Sequence, residues 1–276
     1  MSSMARNAMY IFVLSPNNSG TTVIGQYIAS QIDGYLPPFG NHEGQMVPAV
    51  KESMRSDPWN PEMRLDWPFI KSVWDELLAE SGKGVFVETS PPNLMRVGQI
   101  REAFAEDARY LFSIANPYAQ ISSCIYNYSD PPLAPRTLRR LTEQWLNKAR
   151  AMAQNIVSHP DIPKITYEDF CRTPTVINEA LDLPVVSDSA IAGKRNAPVS
   201  RIMDMTNRNI LFNDAFTIDR ISELLAEEED LLQFFGYSLV EDGVAFVTGL
   251  KDDFAALHAA LIRRSRWEAK GRKGGI

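Results

Sequence analysis

Residues 9–22 carry the sequence Met9-Tyr-Ile-Phe-Val-Leu-Ser-Pro-Asn-Asn-Ser-Gly-Thr-Thr22. The first six form a continuous apolar run with β-branched and aromatic side chains, which predicts a fully buried strand of a parallel sheet. Polar turn-forming residues follow, and a helix is predicted from Gly20 to Ile32. A buried strand, a polar loop and a helix in this order are typical of an α/β fold.

The same alternation of strand and helix returns further along the chain. Strands are predicted at residues 84–88 and 109–114, each followed by a helix, and a short fourth strand follows a long helical stretch. The sequence therefore predicts an α/β fold with a central parallel β-sheet flanked by helices. The helices are predicted at 93–104, 117–128, 134–158 and 218–235, and the fourth strand at 163–166.

Domain organisation is predicted to be simple. We expect one domain over residues 1–276, with an insertion at about 33–82 and a C-terminal helical extension at about 241–276. Insertions of this kind commonly build substrate walls. The tryptophans of the insertion either line an acceptor pocket or belong to the hydrophobic core; they are Trp59, Trp67 and Trp74.

Composition narrows the possible partners. The formal charge of -6, from 28 Lys and Arg against 34 Asp and Glu, disfavours a nucleic-acid partner. Cys124 and Cys171 are too few for a disulfide framework and lack zinc-ligand spacing, which fits a reducing compartment. The apolar run at 9–14 is too short to span a membrane, and no export signal is visible, which together favour a cytoplasmic protein.

The loop at residues 17–22 is the first candidate for a binding site. It places backbone N–H groups and three hydroxyls at a helix N-terminus, which favours an anion, normally a phosphate. A capped turn without a ligand is the alternative. Thr21 stands where nucleoside-triphosphate loops carry lysine, so a P-loop nucleotide kinase is a poor fit.

Five segments in order along the chain carry a family resemblance. They are Ser19-Gly-Thr-Thr22, Val85-Phe-Val-Glu-Thr-Ser-Pro-Pro-Asn-Leu94, the stretch 108–123, Ile165-Thr-Tyr-Glu-Asp-Phe170 and Phe235-Gly-Tyr237. This set resembles the sulfotransferases of bacterial type, which have a P-loop-like architecture and use 3′-phosphoadenosine 5′-phosphosulfate (PAPS). The resemblance implies sulfuryl transfer from PAPS, without a metal, to a hydroxyl of a small-molecule or glycan acceptor.

The resemblance also implies roles for individual residues. Ser123 and a basic loop containing Lys194 and Arg195 would hold the 3′-phosphate, and Glu43, or else His42, would serve as the general base. Because neighbouring residues in an extended loop point in opposite directions, we expect only one of the two bases to face the site. The residues implied for the 5′-phosphosulfate are Asn17, Asn18, Ser19, Gly20, Thr21 and Thr22.

Three positions that are usually basic in the family are neutral here. They are Asn18, Thr89 and Ala115. Each loss removes a charge-assisted hydrogen bond of roughly 1.5–3 kcal/mol. Either other cations hold the donor, or the donor is not PAPS, or the chain is a catalytically degenerate binding protein with a sulfotransferase fold.

Overall fold

A computed structural model describes residues 9–129, 133–186 and 214–253. Its sheet has four strands in the order β2-β1-β3-β4. Strand β1 pairs in parallel with β2 and with β3, so Phe12 lies beside both Glu88 and Tyr110. The predicted α/β fold with a central parallel sheet is confirmed. The strands are β1 (Met9–Leu14), β2 (Val85–Glu88), β3 (Ala108–Ile114) and β4 (Lys164–Thr166).

Helices follow the strands as the alternation predicts, with two differences. The predicted helix at 93–104 begins as a 3₁₀ helix, Pro91–Arg96, before its α-helical part. The predicted helix at 218–235 is interrupted by a 3₁₀ turn at Ala226–Glu228. In the described ranges the α-helices are α1 (Thr21–Ile32), α2 (Pro48–Arg55), α3 (Trp67–Ser81), α4 (Val97–Phe104), α5 (Pro117–Tyr128), α6 (Pro135–Ser158), α7 (Tyr167–Arg172), α8 (Val176–Leu181), α9 (Ala215–Leu225), α10 (Glu229–Phe234) and α11 (Gly243–Asp253).

The chain divides into two compact units. Among the described residues the first comprises 9–113 and 154–186, and the second comprises 114–129, 133–153 and 214–253. The prediction of one domain over residues 1–276 stays a prediction.

The first unit is built around a cluster of aromatic rings. Trp74 of α3 stacks on Phe86 of β2 with ring centroids 5.1 Å apart, and Tyr10 of β1 meets Phe104 edge to face at 4.7 Å. All four side chains are buried. Helix α3 is therefore part of the core, and Trp67 and Trp74 of the insertion are core residues, whereas Trp59 is half-buried.

The second unit is organised around the end of β3. The buried indole of Trp145 in α6 donates from Nε1 to the carbonyl of Ala115 at 3.3 Å. Tyr237, the last residue of the Phe-Gly-Tyr segment, donates its hydroxyl to the Ile114 carbonyl at 3.2 Å. These two bonds fix the backbone where β3 leads into α5.

Across the described ranges, no helix is long and apolar enough to cross a membrane.

Candidate functional site

The loop between β1 and α1 turns through two left-handed residues, Asn18 with φ 59° and Gly20 with φ 83°. Asparagine and glycine are the residues that adopt this conformation at least cost. A Cβ at position 20 would also overlap the ring of Tyr167, the first residue of α7. Glycine is therefore required at position 20 both by its backbone conformation and by the tyrosine packed on it.

The N-terminus of α1 has the features of an anion site. No side chain caps the helix at Gly20. The hydroxyl oxygen of Ser19 is fully buried and has no hydrogen-bond partner among the described residues. Since buried hydroxyls are nearly always paired, this one indicates a group that completes the loop. Thr21 is buried beside it, whereas Asn17, Asn18 and Thr22 are half-buried.

The segment His42–Gln45 is held at the carboxyl edge of the sheet by the carboxylate of Glu88. The Gly44 amide donates to Oε2 of Glu88 at 2.6 Å. The Ser90 amide and the side-chain amide of Asn93 both donate to the other carboxylate oxygen at 2.9 Å. A Cβ at Gly44 would overlap this carboxylate. The Glu88 carboxylate therefore joins the turn that follows β2 to the segment His42–Gln45.

Two further hydrogen bonds attach the same segment to the residues that follow β2. The Thr89 hydroxyl donates to the carbonyl of His42 at 2.9 Å, and the Gln45 amide donates to the Ser90 hydroxyl at 3.0 Å. The Thr89 methyl group lies against Gly25 of α1, where a Cβ would overlap it. The candidate base segment therefore lies at the same sheet edge as the β1–α1 loop.

The carboxyl group of Glu88 ionises in an unusual environment. The pKa of Glu88 is raised from 4.5 to about 7, chiefly because the carboxyl group is completely buried and also because Glu43 lies nearby, although the hydrogen bonds from Ser90 and Gly44 act in the opposite direction. A carboxyl group that ionises near neutral pH thus sits beneath the candidate base segment.

His42 is held in a defined tautomer. Its Nδ1 lies 3.2 Å from the Pro37 carbonyl, and because a carbonyl only accepts, we assign the ring proton to Nδ1. The lone pair of Nε2 is then the basic site of the neutral ring. His42 also has a left-handed φ of 66°, a conformation that is costly for this residue type. Glu43 accepts a hydrogen bond from the side chain of Gln45.

The neutral residues at the three usually basic positions have structural contacts of their own. Asn18 occupies a left-handed turn position, which asparagine tolerates better than lysine or arginine. Thr89 is buried and bonded to His42, and Ala115 is buried beneath Trp145. The chain has therefore adapted its local packing to these residues.

Of the predicted 3′-phosphate residues, Ser123 belongs to the described part of the chain. Ser123 is half-buried on α5 of the second unit, and its neighbour Ser122 donates to the Tyr118 carbonyl at 2.7 Å. Lys194 and Arg195 fall outside the residues that the structure describes. The roles of these three residues stay predictions.

The site residues that sequence reasoning missed are Gly44, Ser90 and Asn93. Their sequence signal is weak, because a glycine in a polar loop and a Ser-Pro-Pro-Asn turn also fit ordinary connections. Only the buried carboxylate between them shows that they act together.

The protein belongs to the α/β class: helices flank its central parallel sheet, and a polar loop joins its first strand to its first helix. The chain is similar to a solved sulfotransferase domain from the Synechococcus PCC 7002 olefin synthase, at 17% identity and a TM-score of 0.47, over 92% of this chain and 98% of that one. It is also similar to a sulfotransferase domain from the curacin biosynthetic pathway, at 15% identity and a TM-score of 0.42, over 90% and 99% of the two chains.

Both solved structures bear the family name given by the sequence resemblance. At these identities the similarity concerns the fold, and it carries no information on donor or acceptor. No protein-family model matches the chain, and no curated protein matches it.

Proposed function

We propose that the chain is a sulfotransferase that takes the sulfuryl group from PAPS and transfers it to a hydroxyl of a small-molecule or glycan acceptor. The observation that carries the proposal is the buried, unpartnered hydroxyl of Ser19 at an N-terminus of α1 that no side chain caps. Backbone N–H groups and the helix dipole favour an anion at this position. The residues present fit the 5′-phosphosulfate group, which supplies the transferable sulfuryl when bound.

The acceptor proton has two possible destinations in this site. In the transfer, the acceptor oxygen forms a bond to sulfur, the bond from sulfur to the 5′-phosphate oxygen breaks, and the acceptor proton moves to the base. The two candidate bases are Nε2 of His42, whose Nδ1 lies beside the Pro37 carbonyl, and the carboxylate of Glu43, which accepts from Gln45. The hydrogen bonds that the segment donates to Glu88 and Ser90 and accepts from Thr89 would hold it at the sheet edge while the proton moves.

The loop lacks the positive charge that usually accompanies an anionic ligand. Residues 15–22 contain no lysine or arginine, and Thr89 and Ala115 add none. The proposal therefore requires cations from outside this loop, and Lys194 and Arg195 are the proposed sources. The two cations would act as a pair, so replacing both should weaken nucleotide binding more than replacing either one.

The test is nucleotide binding by the purified chain. We expect adenosine 3′,5′-bisphosphate to raise the melting temperature, and adenosine 5′-monophosphate to raise it less because it lacks the 3′-phosphate. The absence of any shift at millimolar bisphosphate would refute the proposal. Binding of the bisphosphate without sulfuryl transfer from PAPS to any hydroxyl acceptor would identify a degenerate binding protein, and a shift with magnesium-ATP alone would identify a kinase.

A further inference from the structure

Arg96 is a buried cation with an incomplete set of partners. It ends the 3₁₀ helix that follows β2, and only 2% of the residue is exposed. Its Nη2 donates to the backbone carbonyl of Asp57 at 3.1 Å and to the sulfur of Met63 at 3.4 Å. Its Nε and Nη1 have no hydrogen-bond partner in the described part of the chain.

Such an arrangement is costly if it serves only the fold. A guanidinium stays protonated in proteins, so burial cannot neutralise it. Neither of its bonded partners is a carboxylate, and the side chain of Asp57 is instead bonded by Asn60. Burial lowers the pKa of Arg96, and the nearby Asp57 carboxylate raises it without donating or accepting a hydrogen bond with it. A buried charge whose N–H groups are partly unpaired destabilises the fold, which points to a function that requires it.

A second unpartnered atom lies on the same turn. Asn93 is buried, and its side-chain oxygen has no partner among the described residues, although its amide nitrogen is bonded to Glu88. Asn93 and Arg96 are three residues apart in a 3₁₀ helix, where side chains at this spacing lie above one another. Among the described residues, this turn therefore carries two unpartnered donor nitrogens, both of Arg96, and one unpartnered acceptor, the Asn93 oxygen.

Residues of the insertion pack on this turn and form hydrogen bonds with the side chains of Arg96 and Gln99. Gln99 donates to the Met63 carbonyl at 3.0 Å and accepts from the indole of Trp67 at 3.2 Å. On this turn the unpartnered atoms belong to Asn93 and Arg96, while the side chain of Gln99 is bonded on both of its polar atoms. The segment that bonds to Arg96, residues 57–63, belongs to the insertion that the sequence predicts to wall an acceptor.

We propose that Arg96 and Asn93 form the recognition site for a carboxylate on the acceptor. The Nε and Nη1 groups donate to the carboxylate, and the Asn93 oxygen accepts from a hydroxyl or N–H group next to it. This assignment rests on the proposed function, since it takes the ligand to be the sulfuryl acceptor. Asn93 also bonds to Glu88, which links acceptor recognition to the carboxylate that holds the candidate base segment.

The experiment compares 4-bromobenzoate with its neutral isostere 4-bromobenzamide as probes of the full chain. We expect the wild type to bind the carboxylate about ten- to a hundredfold more tightly, the difference that one or two charge-assisted hydrogen bonds supply. Arg96→Met should abolish this preference. Equal binding of the two probes by the wild type, or a preference that survives in Arg96→Met, would overturn the proposal.

A matched control is available in Arg55, an exposed arginine that also donates to a methionine sulfur, that of Met46. Arg55→Met should keep the carboxylate preference. Arg96→Met should melt at the wild-type temperature or about 2–4 °C higher, because it removes a buried charge whose N–H groups are partly unpaired. A melting temperature well below that of the wild type would assign Arg96 a structural role instead.

Crystals of the wild type soaked with 4-bromobenzoate test the site without any variant. Anomalous bromine density with the carboxylate at Nε and Nη1 of Arg96 is the expected result. A water that bridges Arg96 and Asn93 and is not displaced would overturn the proposal. Nucleotide binding is measured separately, so a chain that binds the carboxylate at Arg96 but no bisphosphate would disprove the sulfotransferase function while retaining the carboxylate site.

Discussion

The amide of Gly44 donates a 2.6 Å hydrogen bond to a carboxylate oxygen of the fully buried Glu88. Forty-four residues separate the two in sequence, and the bond joins the candidate base segment to the end of β2. The position of His42 and Glu43 therefore depends on the ionisation state and geometry of one buried carboxyl group.

Replacing Glu88 by glutamine should flatten the dependence of stability on pH. Since burial raises the pKa of Glu88 from 4.5 to about 7, the folded state binds more protons than the unfolded state between these values. The wild type should therefore lose up to about 3 kcal/mol of unfolding free energy as pH rises from 4.5 to above 7. Glu88→Gln should lack this loss in urea denaturation at pH 5 and pH 8.

The control for this measurement is Glu76→Gln, because Glu76 is exposed on α3. It should keep the wild-type dependence on pH. Identical profiles for Glu88→Gln and the wild type would contradict the prediction.

Gly44→Ala should destabilise the chain by about 1–3 kcal/mol, because the added methyl group overlaps the Glu88 carboxylate and the Trp74 indole. Gly98→Ala is the matched control, since a Cβ there meets nothing within 4 Å on the exposed face of α4. It should stabilise by about 0.4–1 kcal/mol. Thermal unfolding monitored by circular dichroism distinguishes the two, and equal effects would argue against the close approach at Gly44.

Gly20→Ala should cost more stability than Gly82→Ala. Both glycines have positive φ, at 83° and 69°, so each alanine pays about 1–2 kcal/mol for a left-handed backbone. Only position 20 also meets a side chain, the ring of Tyr167. The excess cost should shrink in a Tyr167→Ala background, and denaturant unfolding of the four variants tests this; an unchanged excess would rule out the ring as its cause.

Ser19→Ala should weaken bisphosphate nucleotide binding by about ten- to a hundredfold, the value of one hydrogen bond to an anionic phosphate. Its stability should remain near that of the wild type, because the hydroxyl has no partner among the described residues. Ser30→Ala, at the other end of α1, should leave binding unchanged because its hydroxyl donates to the Tyr27 carbonyl. Calorimetric titration measures both, and unaltered affinity in Ser19→Ala would remove this hydroxyl from the site.

Introducing a cation at Asn18 and at Ala115 should affect nucleotide binding and stability differently. Asn18→Lys should tighten nucleotide binding at a stability cost of about 1–2 kcal/mol, because position 18 is half-buried and left-handed. Ala115→Arg should destabilise by about 3 kcal/mol or more, since a charge would enter the buried contact with Trp145. Melting curves with and without bisphosphate separate the effects, and a stable Ala115→Arg would contradict this account.

The sequence predicts the sheet well because its strands are short apolar runs that a parallel sheet must bury on both faces. The runs at 9–14 and 109–114 are the clearest, and β1 and β3 occupy 9–14 and 108–114. The helix predicted at 218–235 is wrong in its continuity, because residues 226–228 keep helical composition yet form a 3₁₀ turn. Glu228 of that turn is bonded to Arg150 of α6, a tertiary contact that helical periodicity does not encode.

For the candidate site, sequence patterns locate loops but not their connections. The β1–α1 loop is visible because its strand, its glycine and its hydroxyls are consecutive. The bonds that unite His42–Gln45 with Glu88, Thr89 and Ser90 join distant residues, and side chains of these types also suit ordinary turns. The sequence likewise gives no sign of the unpaired atoms of Arg96, because pairing depends on which groups the fold brings within hydrogen-bond distance.

The hydrogen bond between Gly44 and Glu88 also has a consequence for folding during translation. A nascent chain on the ribosome presents residues 42–45 well before residue 88 has left the exit tunnel. Until β2 pairs with β1, the segment has no buried carboxylate to receive its amide. The candidate base segment therefore acquires its shape only after the second strand has emerged.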